Sequence, residues 1–200
     1  LQVRQELFDQ IGSVPEGCTW TTVGDRGADI FSFIASLPMG WDCVVRSKHD
    51  RKILMNGKEY NLKKCMKELP SMGTTGHFLR ARKDVSREVA LQLSWAAVDI
   101  LPPKVDKEKP PIKGWYVRAW CKEDPTLEWI LFTKSPVSSF EEALEIVSIY
   151  RHRWLIEEYH KALKSGLGME QTQLGTPERI LTLCGILSIV GFCIGLSVFS

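Results

Sequence analysis

The sequence lacks the bulk features that most readily assign a function. Lys and Arg number 26 against 24 Asp and Glu, a net charge of +2. No global excess of positive charge therefore points to a polyanion, and any such partner must be read from local clusters. Six cysteines, at 18, 43, 65, 121, 184 and 193, include no C-x-x-C pair, and none of the four histidines stands at zinc-ligand spacing. This argues against a disulfide framework and a zinc module and points to reduced, mostly buried thiols in a cytoplasmic protein. No signal peptide opens the chain. It begins at Leu1 without a methionine and ends at Ser200 inside an apolar run, so both ends are expected to be cuts in a longer protein. What is present is ordinary for a globular core: 44% hydrophobic residues over 200 positions, enough for one domain or a core with an insertion.

Residues 18–24 (CTWTTVG) suit a strand, with Asp25 just past its end. Residues 28–37 suit a short helix stopped by Pro38, and 42–46 (DCVVR) a second strand. Strand, helix, strand at this spacing predicts an α/β sheet. The texture then changes over 47–126. A basic run (RSKHDRK, 46–52) leads into a loosely helical segment at 61–69 and three β-like runs at 77–82, 88–100 and 115–122. This reads as a mainly antiparallel β insertion. Residues 127–133 (LEWILFT) return as a nearly continuous apolar strand, the kind buried on both faces. Three segments are therefore expected: 1–46, 47–126 and 127–200.

Ser139-x-x-Glu142 is a capping box that opens a long helix, and Gly166 and Gly168 end it. Ala143, Ile146, Val147, Tyr150 and Trp154 predict a packing face in its first half. Residues 180–199 then run for twenty positions without a charge and contain Gly191-x3-Gly195. That length can span a bilayer, but it equally suits a helix buried in an α/β core.

The helix carries the chemistry. Tyr150, Arg153, Glu157 and Lys164 stand at offsets of 3, 7 and 14, which at about 100° per residue confines them to a wedge of roughly 60°. Such a face can hold phosphates, with Arg153 as a fork and Lys164 as a point charge. Asp25, at the carboxyl end of a strand, lies where open α/β sheets place ligands. Asp25 and Glu157 together suit Mg²⁺, which keeps water and accepts phosphate oxygens. A solvated i,i+4 pair of Glu157 with Lys161 explains the same face equally well.

The spacing Tyr-x2-Arg-x3-Glu-x6-Lys, within IYRHRWLIEEYHKALKSG, resembles the signature of bacterial insertion-sequence transposases of the DDE type. VGDRGADI, VVRSKHDRK and LEWILFTKSPV resemble further segments of that family in the same order, so the resemblance covers residues 18–50 and 127–190. It implies a ribonuclease-H-like α/β core interrupted by an antiparallel β insertion. It also implies metal-dependent cleavage at transposon ends followed by 3′-hydroxyl strand transfer, with Mg²⁺ or Mn²⁺ as cofactor. By position, the resemblance implies that Asp25 and Glu157 are the second and third acidic metal ligands. It likewise implies that Tyr150, Arg153 and Lys164 contact phosphates of the transposon end, that Trp129 stacks a flipped base, and that Arg46, Lys48 and Arg51 contact DNA.

The chain departs from the family in several places. The first catalytic aspartate is absent, Asp9 stands in the wrong context for it, and this segment alone is expected to be inactive. Gly27 occupies a position often acidic, and Asp29 is read as a helix-start residue favoured by the dipole. The partners implied are transposon-end DNA, target DNA and a second copy in a synaptic homodimer, whose dimerisation region is expected to be missing. In the family, the apolar run after the catalytic helix is buried in the core, which disfavours the membrane. The rivals are a ribonuclease-H-like nuclease without strand transfer, a truncated remnant without activity, and a protein tethered to a membrane through 180–199.

Overall fold

The computed structural model describes residues 8, 10–75, 78–82, 85–154, 156–157, 176, 178–183 and 185–186, with the backbone alone for 78–82 and 85–88. The chain divides into two compact units, Leu1–Tyr150 and Arg151–Ser200. The boundaries expected at 46/47 and 126/127 both fall inside the first unit.

The first unit is built on one sheet. Strand β1 (Trp20–Gly24) leads through a 3-10 turn (Arg26–Ala28) and helix α1 (Phe31–Ala35) to β2 (Trp41–Arg46), close to the strand, helix and strand the sequence predicts. The hairpin β3 (Lys52–Met55) and β4 (Lys58–Asn61) follows, then α2 (Leu62–Glu68), the short β5 (Gly73–Thr74), β6 (Phe78–Arg82) and β7 (Val85–Val89). Long strands β8 (Gln92–Ile100) and β9 (Ile112–Trp120), β10 (Glu128–Thr133) and α3 (Phe140–Arg151) complete it. Sheet order is β1-β2-β10-β9-β8-β3-β4, with β5 on β8 and β6–β7 a separate hairpin. The β1–β2 pair is parallel and the remaining pairs are antiparallel. Strands β3, β4, β5, β8 and β9, all between 47 and 126, are thus hydrogen-bonded into the same sheet as β1, β2 and β10.

Side-chain alternation explains why this sheet is covered on both sides. Cys43 and Val45 of β2, Tyr116 of β9, and Ile130 and Phe132 of β10 join α1 and α2 in one buried cluster. Their neighbours Val44, Val117, Ala119 and Leu131 join Ala143, Ile146, Val147 and Tyr150 of α3 in another. A strand buried on both faces must read as an unbroken apolar run, which is why 130–133 is legible from sequence. The β3–β4 hairpin is absent from the sequence reading, although Asn56-Gly57 signals it. Their φ values of 53° and 75° are the paired left-handed conformations of a two-residue hairpin turn.

Cys43, Cys65 and Cys121 are buried free thiols and Cys18 is exposed. Burial, with the neighbouring Asp42 charge, pushes the Cys43 thiol up to about 12, so it stays protonated. The capping box forms as read. Glu142 N donates to Ser139 Oγ at 3.2 Å while Ser139 N donates to Glu142 Oε2 at 3.1 Å.

Of the helix expected to reach Gly166, the regular stretch among the described residues is Phe140–Arg151. His152 lies in a turn, 153–154 and 156–157 are again helical, and residues 158–175 fall outside the described set. Trp154 is 53% exposed and is not part of the packing face predicted for it. The apolar run is helical where it is described, at 180–183 and 185–186, with Ile180, Leu181 and Ile186 exposed; 184 and 187–199 lie outside the described residues. Among the described residues no helix is long and apolar enough to cross a membrane.

Candidate active site

Asp25 is placed by the parallel pair. Gly24, the last residue of β1, is in register with Val45, so Asp25 and Arg46 leave the carboxyl edge of the sheet side by side. The chain turns sharply here. A Cβ on Gly24 would sit 2.4 Å from Ala28 Cβ, so only glycine lets the 3-10 turn fold back this closely on the strand. Asp25 caps that turn, its Oδ1 accepting from Gly27 N at 2.8 Å, and it remains exposed. Its Oδ2 has no hydrogen-bond partner among the described residues.

The basic loop after β2 is held by Asp29, which is 2% exposed. Asp29 Oδ2 accepts from Lys48 N at 2.7 Å and His49 N at 3.0 Å. Its Oδ1 accepts from Arg51 Nη2 at 2.6 Å and Nε at 3.0 Å. Helix α1 begins two residues later with Ile30 as its N-cap and no side-chain cap, so Asp29 is a clasp rather than a dipole-favoured helix start. Arg51 gives its Nε and Nη2 to this clasp, with its side chain 10% exposed, and its withdrawal would strip the buried Asp29 of its counter-charge. Arg46 donates from Nη2 to Glu128 O at 3.0 Å, which fixes its guanidinium beside β10, and Lys48 is exposed.

A second clasp escaped sequence reasoning. Buried Asp42 accepts from Thr133 Oγ1 at 2.9 Å, Lys134 N at 2.8 Å, Ser135 N at 3.2 Å and the Ser135 hydroxyl. It fastens β2 to the loop that feeds α3. No local pattern announces it, because the partners lie more than ninety residues away.

Trp129 and Tyr150 meet edge to face, with ring centroids 5.3 Å apart. Tyr150 is 6% exposed and belongs to the packing face of α3, so the tyrosine of the stripe is a core residue in this arrangement. Trp129 is half-buried against the same cluster. In the second unit, Arg153 Nη1 donates to Glu157 Oε1 at 2.6 Å, the i,i+4 contact of a helical turn. Among the described residues the partner of Glu157 is Arg153 on its amino side; Lys161 and Lys164 lie outside them.

Among the described residues no group of three or more His, Cys, Asp or Glu side chains could hold a metal ion. The acidic donors in view are Asp25 in one unit and Glu157 in the other, each with one oxygen engaged as above and the other without a partner among the described residues. Carboxylates of this kind suit a hard divalent cation. Nearby Asp29 does not qualify, because the loop and Arg51 consume both of its oxygens.

Residues 3–190 match the family described as Transposase DDE domain. The mixed α/β architecture with its mostly antiparallel sheet is consistent with a ribonuclease-H-like domain of that kind. Because the match spans nearly the whole chain and includes the strand that presents Asp25 and the segment that carries Glu157, this protein belongs to the DDE transposase family.

Proposed function

We propose that the protein cleaves DNA at transposon ends and joins the freed 3′-hydroxyl to target DNA, as a cut-and-paste transposase that passes through a hairpin at the transposon end. The observation that carries this reading is the exposed Asp25 at the carboxyl edge of the parallel strands, with Arg46 and Lys48 beside it, in a chain of the DDE family. Asp25 and Glu157 are the residues that would hold Mg²⁺ or Mn²⁺, together with a further carboxylate. When bound, the cation supplies charge neutralisation at the scissile phosphate.

The chain's own groups bind and orient. Arg153 exchanges its Glu157 contact for a phosphate of the transposon end, with Tyr150 and Lys164 contributing further contacts. Trp129 offers an aromatic ring to a base drawn out of the stack. Arg46 and Lys48 receive phosphates at the sheet edge, whereas Arg51 supports Lys48 through Asp29. The nucleophiles are water and DNA hydroxyls, so positioning and charge are the protein's contribution. The active species is a homodimer acting in the cytoplasm on transposon-end and target DNA.

The test uses the full-length protein, labelled transposon-end DNA and a target duplex in Mg²⁺. Joined product supports a transposase, and nicking without joining favours a nuclease on the same fold. Glu157→Gln is expected to abolish cleavage and spare end binding. The Arg153–Glu157 pair favours one other reading, an inert surface ion pair. Cleavage retained in Glu157→Gln would establish that reading and remove Glu157 from the metal site.

A further inference from the structure

Immediately after Asp25, the surface of the first unit opens into a cleft of about 290 Å³ walled by Arg26, Arg46, Lys48, Lys63 and Lys67, with Glu128 as its carboxylate. A neighbouring cleft of about 390 Å³ shares Lys67 and Glu128 and adds Arg118, Trp120 and Lys122. The shared walls make the two one groove. We propose that this groove carries the phosphate backbone of duplex DNA away from the Asp25 corner, a role that rests on the transposase reading but assigns Arg26, Lys63, Lys67 and Lys122 to it.

Charge is the first argument. Glu128 is neutralised by Arg118 Nε at 2.8 Å, and its backbone oxygen holds Arg46. Arg26, Lys48, Lys63, Lys67 and Lys122 have no acidic partner among the described residues. Five uncompensated cations in one groove, on a chain whose net charge is +2, are a concentration and not a background.

The second argument is how they are placed. Helix α2 buries Leu62, Cys65 and Met66, which leaves Lys63 and Lys67, one turn apart, on the groove wall. Arg118 also donates toward Met66 O and Lys67 O at 3.3 and 3.4 Å, tying the end of α2 to β9. The third argument selects duplex over single strand. Trp120 is the aromatic residue of the groove, and Arg118 lies over its ring at 4.1 Å. Arg118 covers one face of that ring and no second aromatic among the described residues lines either cleft, so the groove offers charge along a backbone rather than a run of stacking platforms for unpaired bases.

The experiment measures binding of the full chain to a labelled duplex by fluorescence anisotropy across a salt series. Lys63→Glu/Lys67→Glu is compared with Lys64→Glu, which changes an exposed residue on the same helix that pairs with Glu68 outside the groove. Thermal melts establish that all three proteins fold. The double variant is expected to bind at least about tenfold more weakly and to lose about two units of salt slope, while Lys64→Glu follows the wild type. Unchanged binding and slope in the double variant overturn the groove and leave the transposase reading intact. Equal loss in Lys64→Glu overturns it as well, because bulk charge then accounts for the effect. Tighter binding of the same groove to single-stranded DNA overturns the duplex assignment, and a wild-type chain that binds no DNA overturns both readings.

Discussion

Two arginine–carboxylate pairs in this protein do opposite work because their solvent exposure differs. The Arg51 and Asp29 side chains are 10% and 1% exposed, so each charge depends on the other for compensation. Arg51→Ala is expected to cost about 3–5 kcal/mol by stranding a buried carboxylate. Urea unfolding reads this as a lower midpoint, and DNA affinity lost in this variant alone does not make Arg51 a DNA contact. A full-strength midpoint would dissolve the clasp. Arg153 and Glu157 are 24% and 42% exposed. A pair of that kind contributes at most about 1 kcal/mol, and the order with Arg before Glu is the weaker one on a helix. It can therefore be exchanged at little cost for phosphate and cation, which the proposed chemistry requires. Neither pairing is legible in sequence in the same degree. Glu157 has cations at both i−4 and i+4, and spacing does not choose between Arg153 and Lys161. Asp29 finds Arg51 twenty-two residues on, through the return of β2 beside β1.

At the scale of elements, local chemistry governs where segments start and turn. The α3 cap is doubled: Ser138 N and Oγ reach Glu142 Oε2 at 2.6 and 2.8 Å beside the Ser139 exchange. The Ser138 N–H, then the Ser138 hydroxyl, hold the Glu142 carboxyl below its usual value of 4.5. A depressed folded-state pKa means that the unfolded chain takes up the proton first as pH falls. The stabilisation is full above the unfolded value and is lost as pH drops through the folded one. Melting temperature followed from pH 7 to pH 3 should fall less steeply below about 4.5 in Glu142→Gln than in the wild type. Ser139→Ala should lower stability by about 1 kcal/mol at neutral pH. Identical pH profiles for wild type and Glu142→Gln would remove the carboxylate from the cap. The Asn56-Gly57 turn and the apolar run of β10 are equally local, and both are written in residue order. The stripe that starts at Tyr150 is less simple, since its tyrosine packs edge to face on Trp129 and a turn at His152 interrupts the regular helix before Arg153.

For the whole molecule, the sheet is the organising element. It brings β1, β2 and β10, the strands nearest the candidate site, into one layer with the long β8–β9 pair. The features proposed to face DNA then lie along one edge: Asp25, the loop after β2, and the groove between α2, β9 and β10. Chelation separates binding from chemistry at this scale. With EDTA in place of Mg²⁺, the full-length protein is expected to lose strand cleavage on a denaturing gel and to keep its duplex affinity. Cleavage that persists under EDTA would exclude a divalent-metal mechanism. Sequence alone determined the strands that alternate or run apolar, the α3 cap, Asp25 at a strand end, and the ordered motifs of a DDE transposase, because each is written in neighbouring residues. Tertiary structure alone decided that Asp29 and Asp42 are clasps, that Arg51 is occupied, and that Lys63 and Lys67 share a groove with Arg26 and Lys122. Those outcomes depend on which strands lie side by side, and contacts between residues tens of positions apart leave no periodic trace in the chain.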